Sequence, residues 1–291
     1  MNGLLVVDKP QGLTSHDVVS RVRRAIDESS VGHLGTLDPM ATGVLPLLLG
    51  KYTRLAQFFG EMHKSYTGTI RFGFATDTCD AEGEPTTPLV AVNLTLQQIR
   101  SHAAVFLGEL AQTPPQFSAK KVAGKPAYKS ARAGQVVELK PVQIHIEEFA
   151  IFGLSDNLAE FSIRVSAGGY VRSVAHDLGQ SLGCGAHLAS LRRTEAGPFS
   201  LADAVPLDEV QNLVRSGALA AYMRHPRELL PEMPAVTADE LSAGRLRNGM
   251  AVNLPEFSNS PLVKVFCGQH DLIAVSRRIA GTLFQPKVVL G

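Results

Sequence analysis

Apolar residues change period along this chain in an order that few architectures can accommodate. Val142, Ile144 and Ile146 alternate, as do Phe161, Ile163 and Val165, which reads as two half-buried strands. Gly168-Gly169 breaks the second, and Val171, Val174, Ala175, Leu178 and Leu182 then recur at helical spacing. Nearer the start, Leu4 to Val7 is strand-like and ends at the turn signal Lys9-Pro10-Gln11-Gly12. Thr14 to Asp17 reads as a helix N-cap with an acid in the first turn, followed by Val18, Val19, Val22 and Ile26. Tyr66 to Phe72 alternates as a strand, and Thr95 to Gln98 is a capping box for a helix that turns Leu96, Ile99, Ala103 and Phe106 inward. The stretch Val31 to Gly50 reads as a loop, dense in Gly and Pro and then apolar, and Pro206 to Val214 suggests a further helix. Strands and helices are interspersed without a regular βαβ repeat, so the expected class is α+β.

After Pro231 and Pro234 the texture changes. A short helix around Ala238 to Leu246 precedes strand-like runs at Leu262–Cys267, Leu272–Ser276 and Lys287–Leu290. The chain of 291 residues is thus expected to hold a large domain over 1–230 and a small β-rich one over 231–291. Cys79, Cys184 and Cys267 are far apart and lack a CxxC spacing, which argues for a reducing compartment and against a disulfide framework or zinc site. The opening Met1 to Asp8 has no basic region of a signal peptide, and the apolar run Val44 to Leu49 is too short to span a membrane. A cytoplasmic protein with no membrane association is expected.

Net charge is +1, so bulk electrostatics does not announce a nucleic-acid partner. The distribution is more informative than the sum. Between Ser118 and Lys140 stand Lys120, Lys121, Lys125, Lys129, Arg132 and Lys140 against the single acid Glu138, in a stretch with Gly, Ala and little core-forming periodicity. Such a basic loop suits the tracking of phosphates.

Common catalytic motifs are missing. There is no HExxH, GxSxG or EF-hand loop, Gly50-Lys51 lacks the upstream glycine of a P-loop, and Gly183-Cys184-Gly185 lacks the third glycine of a dinucleotide fingerprint. The nine histidines show no ligand spacing, so neither a metal nor another cofactor is expected. What remains is the segment from Gly32 to Pro46, Gly-His-Leu-Gly-Thr-Leu-Asp-Pro-Met-Ala-Thr-Gly-Val-Leu-Pro. An isolated Asp-Pro is ordinarily a turn former. Here glycines and prolines hold Asp38 in an irregular loop beside an apolar wall, an environment that preorganises a carboxylate. The residues alone leave Asp38 open between a nucleophile and a structural cap.

This segment resembles the catalytic motif of TruB-type tRNA pseudouridine synthases. Further segments of that family follow in order: Asp8 to Ser15, Lys64-Ser65-Tyr66, Thr76 to Gly83, Pro114 to Ala119, Gly169 to Ser173 and Leu191 to Thr194. The likeness spans roughly residues 3–200, with small departures at Leu34, Phe117, Lys120 and Gly169. It implies a pseudouridine synthase fold with a mixed, largely antiparallel sheet, a basic thumb-like insertion over about 114–141, and a PUA-like RNA-binding domain at 231–291. It also implies isomerisation of the T-loop uridine at position 55 of tRNA, by a route that needs neither metal nor cofactor: cleavage of the glycosidic bond, rotation of the base and reattachment through C5.

By that resemblance Asp38 is the essential carboxylate, able to attack C1′ of the ribose, attack C6 of the base, or remove the C2′ proton. Arg172 pairs with Asp38 and lowers its pKa, Tyr66 stacks on the uracil, and Leu191 lines the pocket. His33 stacks among bases displaced by flipping, Asp80 reads a neighbouring nucleotide, and Lys9 and Pro10 support the active-site loop. Lys120, Lys121, Lys125, Lys129 and Arg132 run along the RNA backbone. The expected partner is the T-arm of tRNA, bound by a monomer. Two alternatives share these features: a guide-RNA-dependent pseudouridine synthase, and a tRNA-binding or folding module whose catalysis is secondary.

Overall fold

A computed structural model describes residues 1–118, 120–122, 125–127, 131 and 137–291. The strands are β1 (Gly3–Lys9), β2 (Val31–His33), β3 (Thr42–Leu49), β4 (Lys64–Phe72), β5 (Gly108–Gln112), β6 (Lys121–Val122), β7 (Lys125–Pro126), β8 (Val142–Ser155), β9 (Leu158–Val165), β10 (Ala186–Ala196), β11 (Phe199–Ser200) and β12 (Val205–Pro206). One mixed sheet runs β12-β1-β3-β10-β4-β9-β8-β5, with β2 paired to β3 and β11 to β10. Its pairings are antiparallel except β1 with β12 and β3 with β10. The α+β expectation and the mixed, largely antiparallel sheet therefore hold.

Locally encoded elements fall where the pattern put them. The helix Ser15–Ile26 starts at a capping box in which Thr14 and Asp17 satisfy each other's backbone N–H groups, and it buries Val18, Val19 and Val22. The helix Leu96–Ala103 starts from the reciprocal Thr95 and Gln98 pair. The helix Val171–Ser181 follows β9 and buries Val174, Ala175 and Leu178.

Val31 to Gly50 departs from the loop expectation, because it contains β2 and β3. β3 has no alternation to detect, since both of its faces are covered. Leu45, Leu47 and Leu49 enter the core beneath the helices, whereas Val44 and Leu48 pack towards Phe266 and Val288 near the C-terminus. A strand buried on both sides reads as a continuous apolar run. The predicted helix at Pro206 to Val214 is divided: β12 takes Val205–Pro206, a 3-10 turn follows, and the helix proper is Val210–Arg215.

Beyond residue 230, β13 (Ala235–Ala238), β14 (Val252–Asn253), β15 (Leu262–Cys267), β16 (Asp271–Ala280) and β17 (Leu283–Val289) form a second sheet in the order β13-β15-β16-β17-β14. It has its own core around Val263, Ile273 and Phe284, covered by the helix Glu240–Arg247. Phe266, Val275 and Leu290 join Leu4, Val6 and Tyr52 in a further apolar cluster. Among the described residues no helix is long and apolar enough to cross a membrane.

Candidate active site

Asp38 lies in the crossover from β2 to β3, a stretch whose irregular backbone cannot be held by ladder hydrogen bonds. Side chains from distant elements hold it instead. Lys9, fully buried at the end of β1, donates from Nζ to the carbonyls of Pro10 (2.9 Å), Leu13 (2.6 Å) and Pro39 (3.2 Å). Ser15 Oγ donates to Leu37 O at 3.0 Å and accepts the Leu37 N–H at 2.8 Å. The Gly12 N–H donates to Pro39 O at 2.8 Å. From β10, the buried Arg193 donates to Val44 O (2.7 Å), Gly35 O (3.0 Å) and Thr36 O (3.4 Å), so one guanidinium ties both flanks of the Asp38 loop.

β3 and β10 pair in parallel only at Thr42–Arg192 and Gly43–Arg193. Gly43 makes that approach possible. Its φ is +103°, and a Cβ there would collide with the Arg193 carbonyl oxygen.

Arg172 enters from the first turn of the helix Val171–Ser181. Its Nε lies 2.8 Å from Asp38 Oδ2, and its Nη2 donates to Asp38 Oδ1 at 3.1 Å, a two-point grip on the carboxylate. The same guanidinium donates to Thr78 O and to Phe117 O, each at 2.9 Å. Cys79 adopts a left-handed φ of 61°, and the turn through it leaves Asp80 Oδ2 3.7 Å from Arg172 Nε. Asp80 is buried, with its other oxygen accepting from Thr78 Oγ1 at 2.6 Å.

These contacts bear on the Asp38 carboxyl in opposite senses. Burial pushes its pKa above the ordinary carboxylate value, Arg172 pulls it down, and Asp80 adds to the upward push. The net direction is upward. The arginine lowers it as expected, but the net shift is a correction to the expected depressed value: burial outweighs a guanidinium that is shared between two acids.

Asp38 opens into a cavity of about 230 Å³ whose wall includes Lys64, Tyr66, Ser118, Tyr170 and Leu191. Tyr66 on β4 and Leu191 on β10 reach it from neighbouring strands, since Leu191 pairs with Gly68 and Arg193 with Tyr66. His33, at the end of β2, accepts the Gly35 N–H on Nδ1 at 3.3 Å. Burial and the Arg193 charge pull the His33 pKa down, which favours the neutral ring. Lys120 is exposed, while the side chains of Lys121 and Lys125, and all of Lys129 and Arg132, lie outside the described residues. The insertion that carries them is closed at its base by Gln116, which donates to Val137 O at 2.9 Å and accepts the Val137 N–H at 3.1 Å.

Sequence reading did not single out Ser15, Lys64, Gln112 or Arg193. Gln112 is buried and takes both backbone groups of Tyr170, accepting the N–H at 2.8 Å and donating to the carbonyl at 3.0 Å, two residues before Arg172. Arg193 and Lys64 stood within quoted motifs, but nothing local distinguishes a buried arginine from an exposed one. Among the described residues no cluster of His, Cys, Asp and Glu is placed to hold a metal ion.

Comparison with known proteins identifies the family. The family model described as TruB family pseudouridylate synthase (N terminal domain) matches residues 23–171, and that described as tRNA pseudouridylate synthase B C-terminal domain matches 172–230. The boundary between them falls at Arg172, yet β10 in the second segment pairs with β3 and β4 in the first, so both contribute to one sheet. The tRNA pseudouridine synthase B of Solibacter usitatus is 45% identical over 293 residues, covering 100% of both chains. That of Opitutus terrae is 48% identical over 213 residues, 73% of this chain and 88% of the relative. Among solved structures, a Cbf5-Nop10-Gar1 complex aligns with a TM-score of 0.72 at 23% identity, over 99% of this chain and 85% of that one, a likeness of fold.

Proposed function

The chain belongs to the TruB family of pseudouridylate synthases, and we propose that it isomerises the T-loop uridine at position 55 of tRNA to pseudouridine. The observation that carries this reading is the Asp38 carboxylate, gripped by Arg172 and opening into a cavity walled by Tyr66 and Leu191. Pseudouridine formation in tRNA is the activity for which the full-length relatives are named.

A uridine within a folded loop has to leave its stack to reach such a recess. In this mechanism Tyr66 packs on the uracil and Leu191 closes the opposite wall, while His33 stacks among the displaced bases outside. Asp38 acts as the carboxylate, at C1′, at C6 or on the C2′ proton. Arg172 aims it, and Asp80 holds Arg172; its burial favours this role over reading a neighbouring nucleotide. Lys9, with the Pro10 carbonyl it engages, keeps the loop in place.

The insertion at about 114–141, with Lys120, Lys121, Lys125, Lys129 and Arg132, follows the RNA backbone as a thumb. Residues 1–230 form the catalytic domain, and 231–291 a PUA-like domain that extends the grip on the T-arm. We assign the reaction to a cytoplasmic monomer.

The test uses a tRNA transcript tritiated at uracil C5, without added metal or cofactor. Attachment through C5 expels that hydrogen, so tritium release reports isomerisation. Release by the native protein and none by Asp38→Asn is expected, with the label lost from position 55. Binding without release would favour a guide-dependent synthase or a folding module.

A further inference from the structure

Lys64 lines the cavity that holds Asp38, and the fully buried Arg193 stands behind that wall, against Gly35. Lys64 begins β4 and faces the same side as Tyr66, two residues on. Its ammonium donates to Met62 O at 3.0 Å. Arg193 directs its donors at the carbonyls of Gly35, Thr36 and Val44. Both crowd Gly35: a Cβ there would stand 3.1 Å from Lys64 Cε, 3.7 Å from Arg193 Nη1 and 4.0 Å from Lys64 Nζ.

Carbonyl acceptors satisfy hydrogen bonds but leave net charge uncancelled. Among the described residues neither cation forms a salt bridge. The acids nearby are committed elsewhere. Asp38 is held by Arg172, and Glu195 accepts from Ser65 Oγ at 2.9 Å and Arg164 Nη1 at 3.3 Å, with Ser65 pointing to the other face of β4. The neutral-leaning His33 supplies no negative charge. Two adjacent positive charges, Lys64 in the wall and Arg193 buried behind it, call for an anion, and the anionic group of an RNA substrate is its phosphodiester.

We propose that Lys64, backed by Arg193, binds a phosphodiester flanking the nucleotide that enters the Asp38 cavity. The proposal rests on RNA being the substrate and adds to that reading a phosphate site inside the catalytic domain, apart from the thumb. Burial and the Arg193 charge pull the Lys64 pKa down to about 8. A bound phosphate favours the ammonium, so binding takes up a proton above that pH. Affinity is then full below pH 8 and declines as pH rises beyond it.

The experiment measures hairpin affinity in an Asp38→Asn background, which removes turnover from the readout. The probe is a T-arm RNA hairpin, unmodified or with one charge-neutral methylphosphonate on the 5′ or the 3′ side of the target uridine. With Lys64 present, one methylphosphonate weakens binding about tenfold, and affinity falls as pH rises above about 8. Lys64→Met loses a similar factor on the unmodified hairpin, reduces the salt slope by about one, and is insensitive to that methylphosphonate and to pH in this window. Lys64→Arg retains affinity and loses the pH dependence, which separates charge from folding. Equal losses on all three hairpins for Lys64→Met, or a loss below twofold, would overturn the phosphate site while leaving the RNA substrate standing. Failure of the Lys64-containing protein to bind any hairpin would overturn both.

Discussion

Ser15 and Leu37 hold each other by two hydrogen bonds, Oγ to carbonyl at 3.0 Å and N–H to Oγ at 2.8 Å, across 22 residues of sequence. The first residue of the first helix thereby fixes the backbone immediately before Asp38.

Ser15→Ala leaves both Leu37 groups buried and unpaired, a loss of about 1–3 kcal/mol. Urea unfolding should register that loss. Single-turnover tritium release should slow by at least about tenfold, because the carboxylate loses its alignment, while hairpin affinity changes little. An unchanged rate would mean that the loop is held without this contact.

The pH–rate profile should reveal the two acids that share Arg172. Asp38 acts as its carboxylate, so the rate rises with pH through its pKa, which burial and Asp80 push upward. Asp80→Asn removes one upward influence and should move the acid limb to lower pH. Arg172→Met removes the main downward influence and should move the residual activity's acid limb to higher pH. Movement of both variants in one direction would contradict the shared-guanidinium geometry.

Gly43→Ala should destabilise the fold by more than about 3 kcal/mol, combining backbone strain at positive φ with a collision against the Arg193 carbonyl. Gly12→Ala serves as the comparison. Gly12 has φ +84° with nothing within 4 Å of the added carbon, so only strain of about 1–2 kcal/mol applies. Equal losses in denaturant unfolding would show that the β3–β10 approach is not tight.

Gln112→Ala opens the amide clasp on Tyr170 at the entry to the Arg172 helix. The expected outcome is a stability loss of about 1–3 kcal/mol from the freed backbone pair, together with a slower chemical step. Crystallographic refinement of the variant should show the Arg172 guanidinium displaced from Asp38.

Elements whose signals lie within a few residues are legible from the chain alone. Thr14 with Asp17 and Thr95 with Gln98 cap their helices across three positions, and alternation in β8 and β9 marks strands with one solvent-facing side. The Asp38 loop was legible for the same reason, since its glycines, prolines and carboxylate are contiguous. β3 was not, because burial on both faces erases the period of two.

Tertiary structure alone decided how the site is held and charged. Arg172 meets Asp38 across 134 residues, and Arg193 meets the Gly35 carbonyl across 158. Which backbone carbonyl a buried cation finds depends on how the chain crosses itself. The same holds for Asp80, which the fold buries against Arg172, and for Asp38, whose pKa is set by depth as well as by its partner. Desolvation is a property of everything packed around a group, and no local stretch of sequence encodes it.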